Sequence, residues 1–231
     1  MFHNPGPWRS RADDSDDAHA EHADRGCEEF EDPAPDGGSK LSKSELRQQA
    51  LKSRRSLAKD EVASRSGLVT RRLLQLPEFA SAASIATYVA KSDEVQTAAV
   101  ISRALAEGKK VLVPRSDPQS STLFFAEIHA LSELSPGHFG ILEPAVSSPR
   151  FPLDSADIAL VPIVAWDEQG HRIGYGKGYF DRALEANRGP VTIGLAFESQ
   201  RFGEVPQSAA DVPLDIIVTE ERVLRLRGGR R

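Results

Sequence analysis

The chain has 231 residues and a formal net charge of −5, enough for one substantial core and at most two modest domains. Its one cysteine, Cys27, excludes an intramolecular disulfide and points to a reducing, cytoplasmic setting. No apolar run approaches the roughly 18 residues of a membrane span, so no membrane partner is expected.

From the N-terminus, residues 1–39 hold 11 Asp/Glu against 3 Lys/Arg, leaving 23 against 26 in the remainder. This segment has no apolar periodicity and contains Pro5, Pro7, Pro33, Pro35, Gly37 and Gly38. Too little surface can be buried to offset its chain entropy, which predicts a disordered acidic extension. Its acidity speaks against a secretory signal or transit peptide. His3, His19 and His22 lack metal-like spacing and read as solvated.

The folded part opens with a helix: Ser42 and Glu45 fit a capping box, Leu41 and Leu46 a hydrophobic staple, and Leu46, Ala50, Ser53 and Leu57 recur at helical spacing. Lys43, Arg47 and Arg54 share another face, either an ordinary solvated stripe or one that reaches for a polyanion. A second helix is predicted from near Glu61 to Leu76, closed by Pro77. Strand signals follow at Ser84–Ala90, Lys110–Pro114, Leu123–Ile128, Ile158–Val164, Val191–Phe197 and Ile216–Thr219. Helices are expected over Glu94–Glu107 and Tyr179–Ala186. This alternation predicts a single three-layer α/β domain with a largely parallel sheet covered by helices. The plan is an acidic extension at 1–39, the α/β domain at 40–221 and a basic tail at 222–231. The five arginines of that tail read as a frayed, solvated end rather than a nucleic-acid contact.

The segment from Arg172 to Arg182 places Gly174, Gly176 and Gly178 alternately with side chains, Lys177 among them and Asp181 three residues beyond. It lies between a predicted strand and a predicted helix, where backbone N–H groups and a helix N-terminus can meet an anion. Lys177 would supply a point charge for phosphate and Asp181 a hard oxygen for a phosphate-bound Mg²⁺. The spacing is neither the Walker loop nor the dinucleotide fingerprint.

With this loop, the Lys43/Arg47 pair and further landmarks in order, the chain resembles the 5-formyltetrahydrofolate cyclo-ligase (methenyltetrahydrofolate synthetase) family. Those landmarks are Asp93-Glu94-Val95, Gly108-Lys109 with Val113-Pro114-Arg115, the run from Gly137 to Pro144, Val161-Pro162, and Val205-Pro206 leading to Asp211. The resemblance spans Leu41 to Thr219 and implies a NagB/CoA-transferase-like fold. It also implies ATP- and Mg²⁺-dependent conversion of 5-formyltetrahydrofolate to 5,10-methenyltetrahydrofolate. Phosphorylation turns the poorly leaving formyl oxygen into a leaving phosphate, and N10 attacks the activated carbon. Such chemistry asks a protein mainly for positioning and charge stabilisation.

By the resemblance, Lys177 and Arg172 are catalytic. Lys43, Arg47 and the run Arg172, Ile173, Gly174, Tyr175, Gly176, Lys177, Gly178, Tyr179 and Phe180 hold ATP. Asp181 and Asp211 hold Mg²⁺. Glu94 meets the pteridine ring, and Val89, Phe139, Tyr175 and Tyr179 complete the folate site. Phe180 stands where the family motif carries a second tyrosine. His138 and His171 match no catalytic position. A monomer acting on small molecules, with no nucleic-acid partner, is expected. The competing readings are a non-catalytic folate- or nucleotide-binding module and an RNA-associated protein using Arg222–Arg231.

Overall fold

The computed structural model describes residues 41–226 apart from positions 118, 121 and 188. The chain divides into the units Met1–Ser39 and Lys40–Arg231, and every described residue belongs to the second. The readings made of 1–39, Cys27 and the three histidines included, and of positions 227–231 lie outside the described residues.

The elements begin with α1 (Lys43–Arg55), α2 (Lys59–Leu74), α3 (Pro77–Ser81), β1 (Ser84–Ala86) and α4 (Ala98–Ala106). Next come β2 (Lys110–Asp117), β3 (Thr122–Ile128), β4 (Ser135–Pro136), β5 (Leu142–Glu143), β6 (Ile158–Pro162), β7 (Ala165–Trp166) and β8 (Arg172–Ile173). The chain closes with α5 (Tyr179–Ala186), β9 (Val191–Leu195), β10 (Ile216–Val218) and β11 (Val223–Arg225). The main sheet runs β11-β10-β9-β6-β1-β2-β3. Its inner strands are mutually parallel, and an antiparallel strand sits at each edge.

Strand side chains alternate faces, and both faces are apolar here. Ile85, Val111, Val113, Leu160, Ile216 and Val218 enter one cluster with Val69, Leu73, Phe79, Val100 and Ile101 from α2, α3 and α4. Ala86, Leu112, Ala159, Val161 and Ile217 enter the other, with Trp166 and with Ala183 and Leu184 of α5. Each fully buried Leu or Ile contributes roughly 1.5–3 kcal/mol. The result is the layered, largely parallel sheet the alternation predicts. Parallel strands bring their carboxyl ends to one edge of the sheet, so the loops after β1, β6 and β9 meet there.

Several boundaries differ from expectation, each for a physical reason. The segment predicted as strand to Ala90 leaves the sheet after Ala86, and the helix predicted from Glu94 starts at Ala98. Between them lies a turn closed by the Glu94 carboxylate on the Lys91 N–H (2.7 Å) and by the Thr97 hydroxyl on the Tyr88 carbonyl (2.8 Å). Glu94 is therefore a turn residue, not the first turn of a helix. Pro77 does not simply end a helix; it begins α3, where its missing N–H costs nothing. The β6 ladder stops at Pro162, and Ala165–Trp166 pairs with Arg172–Ile173 as a separate hairpin.

The basic tail read from Arg222 also needs correction. Val223–Arg225 is an edge strand antiparallel to β10. It forms because Val223 and Leu224 alternate onto the two apolar clusters. The tail's two described arginines have structural partners: Arg222 bonds Glu198 and lies 5.7 Å from the Trp166 ring centroid, and Arg225 pairs with Glu78.

Candidate active site

Helix α1 is the first support. Its capping box is formed, with Ser42 and Glu45 satisfying each other's backbone N–H groups. Leu46 and Ala50 are buried against Val164, Ala165, Ile173 and Val205, which docks the helix on the β7–β8 hairpin. The adjoining stripe then faces the glycine loop. Arg47 Nε donates to the Gly174 carbonyl at 2.9 Å, and Lys43 Nζ donates to Asp211 and to Ser208 Oγ. The lysine that opposes the helix dipole is thus spent on this site, not on helix stability.

The glycine loop starts from a buried cation. Arg172 donates through Nη2 to Asp181 Oδ1 at 2.6 Å and through Nη1 to the Val212 carbonyl. Burial pushes its guanidinium pKa down, while the Asp181 carboxylate and, more weakly, Asp211 push it up. Gly176 has φ +91° and Gly178 φ +65°, both in the region that favours glycine. Gly178 caps α5, so the loop turns its backbone toward the space into which the helix N-terminus opens. Lys177 is exposed beside that space.

A Cβ at Gly176 would lie 3.2 Å from the Arg47 guanidinium carbon, besides adopting a strained φ. Gly176→Ala is therefore expected to cost about 1–2 kcal/mol in backbone strain, lowering the thermal midpoint by about 2–4 °C per kcal/mol. Displacement of Arg47 should also weaken the binding of a polyphosphate anion at the loop. A melt and a titration with inorganic triphosphate check both; no change in either would contradict the arrangement described.

At the opposite wall, the Tyr88 hydroxyl bonds the Val95 carbonyl at 2.9 Å and fixes the turn that carries Glu94. Glu94 is only 5% exposed, and its second oxygen accepts from the Tyr175 hydroxyl. Burial and then the nearby Glu94 carboxylate raise the Tyr175 pKa well above its ordinary value. The phenol stays a proton donor to the carboxylate. Val89 forms a half-buried wall beside them.

Phe139 is 53% exposed and has φ +58°, the one described non-glycine residue with positive φ. Its ring centroid stands 6.4 Å from that of Tyr179. The turn that presents it rests on Glu143, which accepts from Ser116 Oγ at 2.7 Å and Ser116 N at 3.2 Å. A strained, exposed aromatic supported from below is a contact surface, not a core residue.

Every site residue singled out from the sequence, from Lys43 to Asp211, lines one cavity of about 510 Å³, a size typical of small-molecule sites. Ile173 and Phe180 also join hydrophobic clusters. Phe180 packs against both large clusters, so a ring without a hydroxyl suits its place. Sequence reasoning missed Tyr88, Lys91, Ser116 and Glu143 in the lining of the same cavity. It also missed the destination of Arg54, which continues the Arg47 stripe but reaches Asp93 and Tyr175. The spacing of seven between the two arginines was the available signal. His171 lies 2.9 Å from the fully buried Asp167, which also accepts the N–H groups of Gln169, His171 and Val205. That histidine holds a turn.

Among the described residues no three His, Cys, Asp or Glu side chains gather into a metal cage. Two carboxylates, Asp181 and Asp211, do face the cavity beside the cations. That donor set fits Mg²⁺, which binds through one or two carboxylates together with phosphate oxygens and waters.

Fold and pocket together define an α/β domain in which one cavity, at the carboxyl ends of parallel strands, sets a cationic glycine loop against a recessed carboxylate. Residues 39–220 match the model of the 5-formyltetrahydrofolate cyclo-ligase family. The chain belongs to that family, and it is an enzyme of the cyclo-ligase type. The 5-formyltetrahydrofolate cyclo-ligase of Escherichia coli K12 is 30% identical over 174 residues, covering 74% of this chain and 96% of the relative. That of Haemophilus influenzae is 34% identical over 155 residues, covering 65% and 83%. The solution structure of Aquifex aeolicus 5,10-methenyltetrahydrofolate synthetase is 35% identical and superposes with a TM-score of 0.72, over 83% of this chain and 96% of that one. A Mycoplasma pneumoniae 5,10-methenyltetrahydrofolate synthetase, 23% identical with a TM-score of 0.64 over 78% and 99% of the chains, shares the fold.

Proposed function

We propose that this enzyme converts 5-formyltetrahydrofolate to 5,10-methenyltetrahydrofolate, consuming ATP with Mg²⁺ and releasing ADP and phosphate. One observation carries the reading: a single cavity sets the cationic glycine cradle against the recessed Glu94. Lys43, Arg47 and the backbone of Gly174–Gly178 hold the ATP phosphates. Arg172 and Lys177 offset the charge that builds on the phosphoryl group as it passes to the formyl oxygen. Asp181 and Asp211 would hold Mg²⁺, which supplies charge neutralisation at the phosphates. Glu94 accepts from the amino and ring N–H edge of the pteridine. Val89, Phe139, Tyr175 and Tyr179 wall the folate so that N10 faces the activated carbon. N10 attacks that carbon, the former formyl oxygen departs with phosphate, and N10 loses its proton. With one cysteine in the chain, we place the activity in the reducing cytoplasm.

Incubation with 5-formyltetrahydrofolate, ATP and Mg²⁺ should generate the methenyl chromophore with one ADP per product. Tight binding of both substrates with no ADP formed would refute the reading in favour of a binding module. Glu94→Gln should weaken folate binding by about 10–100-fold, the loss expected for hydrogen bonds to a charged acceptor. The KM for ATP should move far less. A folate titration checks this, and an unchanged affinity would remove the role given to Glu94.

A further inference from the structure

Tyr175 belongs to none of the three hydrophobic clusters. It lines the main cavity and also a second one of about 400 Å³, bounded by Arg54, Arg55, Lys59, Lys91 and Asp93. Shared by the two cavities, the side chain is held by polar ties. Its hydroxyl donates to Glu94 Oε1 and accepts from Arg54 Nη2. Lys91 Nζ stands 4.6 Å from the ring centroid and Arg54 Cζ 5.5 Å.

Arg54 is the fixed point of this assembly. Its side chain is 1% exposed. It donates to Asp93 Oδ2 from Nε at 3.2 Å and from Nη2 at 3.0 Å, and to the Ile163 carbonyl from Nη1 at 3.3 Å. These partners belong to the turn after β1 and to the chain leaving β6, while Arg54 belongs to the helix that carries Lys43 and Arg47. A buried guanidinium is costly unless its donors are satisfied. Here they are satisfied by three separate segments, and one of those bonds fixes the ring that touches Glu94.

We propose that Arg54 is a positioning residue for the reaction: it holds the Tyr175 hydroxyl, and through it the Glu94 carboxylate, in the orientation that meets the pteridine edge. The inference rests on the reading of Glu94 as the pteridine-binding carboxylate. Arg54 does not line the main cavity, and its link to it runs through Tyr175. Its planar fork spans Asp93, Ile163 and Tyr175 at once, which the single ammonium of a lysine does not reproduce.

The test is a double-mutant cycle on the full chain. Calorimetric binding of 5-formyltetrahydrofolate without nucleotide is measured for wild type, Arg54→Lys, Tyr175→Phe and the double variant, with melts and steady-state kinetics alongside. Each single variant is expected to weaken folate binding by about 10–100-fold, raise the folate KM by a similar factor and lower kcat by less. The double variant should bind no worse than the weaker single one, because both substitutions break the same chain of bonds. Tyr175→Phe retains the ring, so it remains informative even if Arg54→Lys folds poorly. Wild-type affinity in either single variant overturns the proposal, as do losses that add in the double variant or that merely follow the unfolded fraction. A wild type that binds no folate overturns instead the reading of Glu94, and the proposal with it.

Discussion

Lys177→Ala is expected to lower turnover by on the order of 10²-fold or more, with almost no change in thermal stability. The magnitude is that of removing a donor aimed at charge which develops in the transition state. Lys177 suits such a role because of where it stands: exposed at the cavity wall, between two positive-φ glycines, and outside all three hydrophobic clusters. A lysine so placed contributes little to folding, which leaves its charge available to a ligand in the cavity. The loss should appear mainly in kcat if the ammonium grips the phosphoryl group most tightly in flight. A rise confined to the KM for ATP would mean that Lys177 holds ground state and transition state alike. Steady-state kinetics against ATP, with a melt as control, separates these outcomes. Turnover within about threefold of wild type would remove Lys177 from the chemistry.

What the sequence made legible was local or periodic. Strands such as Lys110–Asp117 and Ile158–Pro162 show as short apolar runs because both faces of the sheet are buried, leaving no charged residue in β6. The glycine loop shows because its turns at Gly176 and Gly178 take backbone conformations that few residue types adopt, all within a dozen positions. The Glu94 turn did not show, since Glu94, Val95 and Thr97 would serve a helix start equally well. The hydrogen bond to Lys91 N and the Tyr88 hydroxyl bond decide the matter in three dimensions. Arg54 was opaque for the same reason: its partners lie 39, 109 and 121 residues away. Val223–Arg225 was hidden by its arginines, which read as a solvated end until their acidic partners Glu198 and Glu78 are seen.

Asp181→Asn should cost both activity and stability, and the two losses have different causes. Asp181 Oδ1 accepts from the buried Arg172 and, at 3.4 Å, from Val212 N. An asparagine keeps an acceptor there but leaves the guanidinium without its nearest counter-charge. Breaking a fully buried pair costs about 3–5 kcal/mol. Asp181 is 26% exposed and the amide still accepts, so a cost of about 1–3 kcal/mol is expected, or roughly 2–4 °C of thermal midpoint per kcal/mol. Turnover should fall by on the order of 10²-fold or more, through the lost charge at the phosphates.

Asp211→Asn provides the comparison. Its partner Lys43 is 29% exposed, and a solvent-screened pair of this kind contributes at most about 1 kcal/mol. Its melt should therefore stay near that of wild type while its turnover falls. If both carboxylates hold the ion, each variant should need more Mg²⁺ for half-maximal activity and recover part of its turnover as Mg²⁺ is raised. The melting loss of Asp181→Asn should remain whatever the Mg²⁺ concentration in the absence of nucleotide. A Mg²⁺ requirement unchanged in both variants would assign these carboxylates to holding Arg172 and Lys43 in place, with no part in metal binding.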